Sequence, residues 1–596
     1  MKNGFRQDKT DSGSSWKRGG QLRFLKALFT AALVIGAAFL NPLNVITASG
    51  QASQDVFFRF MAPFYGEEHQ RDEDHKPITV IILDDEYLKR QELSWPVPYR
   101  VMTKMLKALY CFEPKGIFID LLYTHNHSRS DKELDRFIDY LKPDSETTAR
   151  IKSSCAKFLD DEAFENRELA QVFVGDQAPL KNYLVPNGSV VLDTVRKAGV
   201  RRLPTNFVED HGIYPLILQL DACTSVERIV HVGDGSCGKL TPYQTGGDLA
   251  REKENWDTLW PGHIDGEILS PALALYNVLD EEDNDVRGRL DDEPSEMVVS
   301  WGFYPRHLSG EAMTDEEHRD ENRLKLRRFH ADCNVRPASK YAPYFDGLWE
   351  LLQDLVGRFD KNPDMSSQIC PYSQWIPAEA VHLVRGDAKK ETLRRLFKDR
   401  IVMIGADIRG APDLMQSPVH GQIPGVFYHA MALDNLLEYG PENQWRPLSE
   451  AYDEVLGPND FRFSLIPAGG YIEAVLVVLF FLISAHVEAR RASQGDKVSA
   501  LVAHIIEYAL HLLLIVLVMI IMALMHFAPF NWLALLGLVT VMGFLKGLVT
   551  TPNDIEKAVK LPLSANAKEN FPCSEPSASR LSLFMFPLRL LPRMRR

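Results

Sequence analysis

The placement of apolar residues constrains this chain more than any other feature: they gather near the two ends. Ala27–Leu40 is apolar apart from Thr30 and, carried on to Ala48, is long enough to cross a bilayer, which needs about 20 mostly apolar residues. Three more apolar stretches follow late, at 464–486, 500–525 and 530–549. Basic residues set their orientation. Lys17, Arg18, Arg23 and Lys26 precede the first stretch, and Arg490, Arg491 and Lys497 follow the second. The tail holds Lys557, Lys560, Lys568, Arg580, Arg589, Arg593, Arg595 and Arg596. Positive-inside reasoning then predicts four membrane-spanning α-helices with both termini in the cytoplasm. In that reading 1–26 is a basic cytoplasmic N-terminus and 27–48 the first span. Residues 49–463 form one extracytoplasmic domain, and 464–486, 500–525 and 530–549 are the later spans. The 487–499 loop and the 550–596 tail are cytoplasmic. A cleaved signal peptide, with Gly50-Gln51-Ala52 as its cleavage site, is the alternative for the first stretch.

The net charge of −13 over 596 residues excludes a protein built to wrap nucleic acid. A mean hydropathy of −0.17 excludes a transporter that is apolar throughout. Cys111, Cys155, Cys223, Cys237, Cys333 and Cys370 fall in the outer region and Cys573 in the tail. An even number outside suits an oxidising compartment. Cys223, Cys237, Cys333 and Cys370 are the disulfide candidates, with Cys223–Cys237, which closes a short loop, the favoured pair. No Cys-x-x-Cys, Gly-x-Ser-x-Gly or His-Glu-x-x-His occurs. No metal site, no cofactor and no enzymatic activity are therefore expected.

Within the outer region, Ile78–Leu83 is a β-rich run bounded by Pro77 and Asp84-Asp85. Val101–Tyr110 has helical spacing, and Gly116–Ile119 is a second strand ending at Asp120. The three read as a right-handed βαβ crossover. Arg400–Gly405 is another buried-strand pattern, followed by a helix over Gly425–Leu437. The expected fold is an α/β domain with a parallel or mixed sheet, plus the four transmembrane helices.

Ligands bind such sheets beyond the carboxyl ends of the strands. Asp84, Asp85 and Asp120 end strands, and Asp131 opens the next helix. Several carboxylates in one crevice suit a hard cation or an amine-bearing ligand. Arg100, at a helix start behind Trp95-Pro96-Val97-Pro98, is placed to hold a carboxylate or to form a structural ion pair. His429, one turn into its helix, is a candidate ligand group or pH sensor, or a satisfied core histidine. In the third apolar stretch His504, Glu507 and His511 share one helix face, with Glu473 on the preceding stretch at a depth to meet His511. Two patterns are decoys. Gly233–Lys239 reads like a phosphate-binding loop, but Leu240 stands where a Mg²⁺-binding Ser or Thr belongs. His125-Asn126-His127 is too sparse for a metal site.

These residues also carry a family resemblance. Leu83-Asp84-Asp85, Trp95-Pro96-x-Pro98-x-Arg100, Gly116-x-x-x-Asp120 and Asp131-x-x-Leu134 come first. Asp210-x-Gly212 and Ser270-Pro271-Ala272-Leu273-Ala274 follow. Arg400–Gly405, Asp413, Ser417-Pro418, Pro424-Gly425-Val426, His429-Ala430 and Leu433-Asp434-Asn435-Leu436-Leu437 complete the order. Over about residues 50–440 the chain resembles the CHASE2 domain, an extracytoplasmic sensory domain of bacterial receptors. The middle, roughly 140–340, departs from the pattern, and no output domain follows the last apolar stretch. The resemblance implies a sensor anchored in the bacterial plasma (inner) membrane, with its main domain periplasmic or extracellular. Its expected partners are an unknown extracytoplasmic ligand, the lipid bilayer, a separate cytoplasmic or membrane output protein and a second copy of the chain. An envelope structural or assembly protein that binds a protein or glycan is the alternative.

Overall fold

Strands buried on both faces need unbroken apolar runs, and such runs form the centre of this molecule. The computed structural model describes residues 45–65, 78–122, 130–176, 194–195, 198–205, 212–219, 229–231, 237–239, 267–279, 296–302, 371–382, 387–409, 413–447, 470–494 and 500–537. The chain divides into Met1–Val539 and Thr540–Arg596, and everything described lies in the first.

Six strands make the main sheet: β1 Ile78–Asp84, β2 Gly116–Ile119, β3 Gln171–Asp176, β4 Arg201–Pro204, β5 Gln374–Pro377 and β6 Ile401–Asp407. Their order is β5-β1-β6-β2-β3-β4, and every pair is parallel. The helices are α1 Val45–Met61, α2 Asp85–Arg90, α3 Tyr99–Tyr110, α4 Asp131–Leu141, α5 Ser145–Leu159, α6 Pro271–Leu279, α7 Asp387–Phe397, α8 Val426–Tyr439, α9 Gly470–Gln494 and α10 Ala500–Leu524.

Successive strand residues face opposite sides, so the sheet has two cores. Ile81, Leu83, Ile117, Ile119, Val402 and Ile404 pack with α3, α4 and α5 on one side. Val80, Ile82, Phe118, Ile401 and Met403 pack with α6 and α8 on the other. α3 buries Met102, Met105, Leu106 and Leu109 and leaves Arg100, Lys104 and Lys107 outside, the pattern of a surface helix. Its lead-in contains a cis Trp95–Pro96 bond. α8 is buried from Val426 through Leu436 and stops at Gly440, whose φ of +74° suits a residue without Cβ.

The sequence expectations need three corrections. β1 and β2 are parallel and joined by α3, but they are not neighbours, because β6 from the far end of the domain lies between them. The disulfide joins Cys111 to Cys155, at the ends of α3 and α5, rather than Cys223 to Cys237. Closing a loop over a sequence separation of 44 is worth about 4 kcal/mol in the chain-entropy model. Cys223, Cys333 and Cys370 lie outside the described residues.

The third correction concerns the membrane. Among the described residues one helix, Ile505–Leu524 within α10, is long and apolar enough to cross a bilayer, with a hydropathy of 2.6. α9 is continuous, but its apolar part is Val475–Val487, about 20 Å at 1.5 Å per residue against a core of about 30 Å. Glu473, Glu488, Arg490 and Arg491 bound that part. Residues 27–44 and 538–549 lie outside the described residues, and from Val45 onward α1 carries Thr47, Ser49, Gln51, Ser53, Gln54 and Asp55. The expectation of four spans, and with it the multi-pass inner-membrane placement with both termini cytoplasmic, is therefore overturned.

Candidate functional site

At the carboxyl edge of the sheet, adjacent strands end in acids. Asp84 closes β1, Asp407 closes β6 directly opposite it, Asp120 follows β2, and Asp176 closes β3. Asp176 is sealed by an ion pair with Arg202 on β4, both side chains buried. The others are not sealed in this way.

Asp84 caps α2, its Oδ1 accepting from Tyr87 N–H at 2.6 Å. Burial raises its pKa, Glu86 and Asp407 add to the rise, and the Tyr87 N–H and Arg90 oppose it. Asp407 is raised too, first by desolvation and then by Asp85. Asp85 is half-exposed and takes Arg409: the Arg409 N–H donates to its Oδ2 at 3.3 Å, and the guanidinium lies 3.8 Å away.

Asp120 is the deeply placed acid. It is buried, its N–H donates to Ile404 O at 2.8 Å, and its Oδ2 lies 3.8 Å from His429 Nε2. Burial, with Asp413 nearby, pushes its pKa well up. Asp413 as a residue is exposed, yet its carboxylate lies over Gly425 at the start of α8. A Cβ at Gly425 would sit 2.9 Å from both carboxylate oxygens, so only glycine fits there. The Gly425 N–H donates to Asp413 O at 2.7 Å. Desolvation of the carboxylate raises the pKa of Asp413 as well.

His429 is buried between Phe118 and Tyr214, and burial lowers its pKa to about 3. It is neutral at ordinary pH, so it does not sense pH around 6.5. Its tautomer follows from its partners. Tyr214 Oη accepts from Ala272 N–H at 3.2 Å and is hydrogen-bonded by Ser270. The one Tyr214 proton is left for His429 Nδ1, 2.8 Å away, which places the imidazole proton on Nε2, facing Asp120.

The structure thus brings Asp120 and His429 together and adds Asp413, Tyr214 and Ser270. Asp84 and Asp85 form a neighbouring group with Asp407 and Arg409. Arg100 stays apart: it is exposed at the start of α3 and, among the described residues, makes no ion pair. Asp131 is the first residue of α4, whose N-cap is Ser130, and its side chain lies outside the described residues. Asp407 was readable from sequence had the strand been extended two residues past Gly405. Asp413 and Ser270 stand in the motif order, though nothing local ties them to the site. Tyr214 lies on a three-residue strand, Ile213–Pro215, with no strand-length pattern to mark it.

Among the described residues no group of three His, Cys, Asp or Glu is arranged to hold a metal. The phosphate-loop decoy is resolved too. Cys237–Lys239 is a strand paired antiparallel with Ile229–His231, where phosphate binding needs a helix N-terminus. His125-Asn126-His127 lies outside the described residues.

The sequence profile of the CHASE2 domain matches residues 29–457. This chain belongs to the CHASE2 domain family. CHASE2 is a non-catalytic, sensory domain, so the carboxyl-edge acids belong to a sensor and not to an active site. No curated protein and no solved structure matches the chain.

The CHASE2 domain also has a polar base at the other end of α8. Tyr65 Oη donates to Asp434 Oδ2 at 2.8 Å. Asn435 Nδ2 lies 2.8 Å from both Ser300 O and Met431 O and 3.0 Å from Tyr65 Oη, while its Oδ1 accepts from Ser300 N–H at 2.8 Å. Beyond α8, Trp445 packs edge-on against Phe57 and Phe58 of α1. Arg446 exchanges main-chain bonds with the turn after α10: its N–H donates to His526 O at 2.8 Å, and its carbonyl accepts from Ala528 N–H at 2.9 Å.

Of the candidates near the bilayer, His511 Nε2 meets Phe480 O at 3.1 Å and Glu507 meets the Ser484 hydroxyl. Phe480 is two turns along α9 from Glu473, so His511 faces a different level of that helix from the one expected. The side chains of Glu473 and His504 lie outside the described residues.

Proposed function

We propose that this chain is a ligand-responsive sensor whose CHASE2 domain passes its state from the carboxyl-edge acids, through α8, to the apolar helix α10 and so to a separate output partner. One observation carries the reading. α8 is a single buried helix of 14 residues, about 20 Å long, with His429 beside Asp120 at one end and the Asp434–Asn435 grip on Tyr65 at the other. A parallel route runs down the hairpin Leu414–Ser417/Gly421–Pro424, whose Pro418 carbonyl accepts from Arg59 Nε of α1 at 2.8 Å. A ligand that favours one seating of the N-terminal end of α8 shifts the base with it.

Asp84, Asp85, Asp120 and His429 are the ligand-facing groups in this reading, with Asp407 and Asp413 added. Their like charges favour a ligand that brings positive charge. Calcium, magnesium and putrescine are the probes. Each is added to the full-length protein, and hydrogen exchange is followed at residues 523–530. A probe that raises the melting temperature should alter exchange there in the wild type and not in Trp445→Leu, which loosens the aromatic contact with α1. Absence of any stabilising probe, together with stoichiometric co-purification of an envelope protein, favours the assembly role instead.

A further inference from the structure

The contact between Asp120 and Asp413 is asymmetric, and the asymmetry has a mechanical consequence. Asp120 is buried and cannot retreat. Asp413 has an open side, and its main chain and carboxylate both rest on Gly425, the residue before the first turn of α8. A helix N-terminus favours one negative charge there. Two adjacent carboxylates, one of them buried, do not ionise together without cost.

The groups around Asp120 supply no compensating cation. From α8 it is faced by neutral His429, from the strand Ile213–Pro215 by the Tyr214 ring, and from the segment before the hairpin by Asp413. From β6 it meets the Ile404 carbonyl. On the next two strands Arg202 is engaged with Asp176. Among the described residues no Lys or Arg reaches the Asp120–Asp413 contact.

We propose that the sensor is proton-gated: a proton held at Asp120 keeps Asp413 seated on the first turn of α8, and loss of that proton unseats it. The step is a simple acid dissociation. Asp120 gives its proton to water, the new carboxylate repels Asp413, and the segment holding the Gly425 N–H moves outward. The hydrogen bonds that follow from Gly425, its carbonyl accepting from Tyr428 N–H at 2.8 Å and His429 N–H at 3.4 Å, loosen with it. The proposal deepens the reading of α8 as the relay, and it concerns the input end only.

The test is hydrogen exchange of the full-length protein in lipid nanodiscs, read at the Tyr428 and His429 amides from pH 5 to pH 9 and corrected for the intrinsic rate. The opening constant of the wild type should rise with pH, by up to about tenfold per unit for a one-proton linkage. Asp120→Asn, which stays neutral throughout, should hold it constant to within about twofold. Asp413→Asn, which removes the repelled partner, should flatten it likewise. His429 is common to all three, so differences among them isolate the acid pair. Asp84→Asn serves as a control and should keep the wild-type profile. A flat wild-type profile, or equal slopes in wild type and either folded variant, overturns the gate. Should both variants fail to fold, infrared spectroscopy of the wild type decides: a protonated-carboxyl carbonyl band at pH 7 that fades by pH 9 supports the gate, and its absence overturns it. Exchange at residues 523–530 reports the relay separately. A flat profile at Tyr428 with a probe response still reaching 523–530 sinks the gate alone.

Discussion

The two ends of the sheet treat polar groups in opposite ways. At the amino-edge base each buried polar group meets its complement: Tyr65 donates to Asp434, and Asn435 both donates to and accepts from Ser300. At the carboxyl edge acids face acids, Asp84 beside Asp407 and Asp120 beside Asp413, and all four pKa values rise. A satisfied network fixes one geometry. Like charges held together store a response to whatever neutralises them, and such perturbed groups cluster at functional sites. Stability is concentrated at one end of α8 and responsiveness at the other.

The largest effect should come from breaking the base. Asn435→Ala removes the partners of the Ser300 N–H and C=O and of the Tyr65 hydroxyl, all in a buried setting. At about 1–3 kcal/mol for each buried group left without a partner, a total loss of about 3–4 kcal/mol is expected in denaturant unfolding of the full-length protein. A loss below about 1 kcal/mol would mean the base is not the rigid end.

Packing between β6 and α8 gives the next effect. A Cβ at Gly405 would lie 2.4 Å from Val426 Cγ1 and 2.5 Å from its Cβ. Gly405→Ala should cost about 2 kcal/mol through overpacking. Adding Val426→Ala should return part of that, because the clash is with this one side chain. No recovery in the double variant places the strain elsewhere.

His429 adds an acid-limb effect at the carboxyl edge. Its folded pKa, about 3, lies below the unfolded value of about 6.5. The folded state therefore binds fewer protons. The contribution is fully present above pH 6.5 and is lost as pH falls toward 3, at about 1.4 kcal/mol per unit. His429→Gln cannot titrate, so the slope of stability against pH between 6.5 and 4 should flatten, whatever fixed cost the substitution carries. An unchanged slope means His429 is charged in the folded protein.

How far this contrast was legible depended on its chemistry. The strands β1, β2 and β6 and the helices α3 and α8 stand out because apolar runs and helical spacing are local signals. Asp84, Asp120 and His429 stand out as strand-end acids or motif residues. The insertion of β6 between β1 and β2 leaves no local mark, since parallel partners are chosen across the whole domain. Asp407 was hidden by ending its strand at Gly405. Arg100 looked functional for its charge, yet helical geometry turns it to solvent. Cys111–Cys155 joins two helix ends that only the fold brings together. The span count failed because apolar content was read where α9 keeps only a short apolar core. The base escaped notice altogether: Trp445 and Arg446 act through packing and main-chain bonds, which composition does not reveal.

The smallest effect is the sharpest test of the comparison, because two variants at one position separate charge from hydrogen bonding. Asp84 caps α2 through Tyr87 N–H while facing Asp407 in the neighbouring strand. Its folded pKa is raised, so the folded state binds more protons than the unfolded one. Stability from this group is therefore present at low pH and falls as pH rises from about 4 through the folded value. Asparagine caps a helix about as well as aspartate but carries no charge. Asp84→Asn should then be more stable than the wild type at pH 8, by about 1 kcal/mol at most given the solvent near Asp407, and equal to it at pH 3. Asp84→Ala loses the cap as well, about 1 kcal/mol, so it should roughly match the wild type at pH 8 and fall below it at pH 3. Thermal unfolding of the three proteins at both pH values decides the matter. If Asp84→Asn is less stable than the wild type at pH 8, the charge at the end of β1 is favourable where it stands. The carboxyl edge would then be a second satisfied network rather than a set of opposed acids.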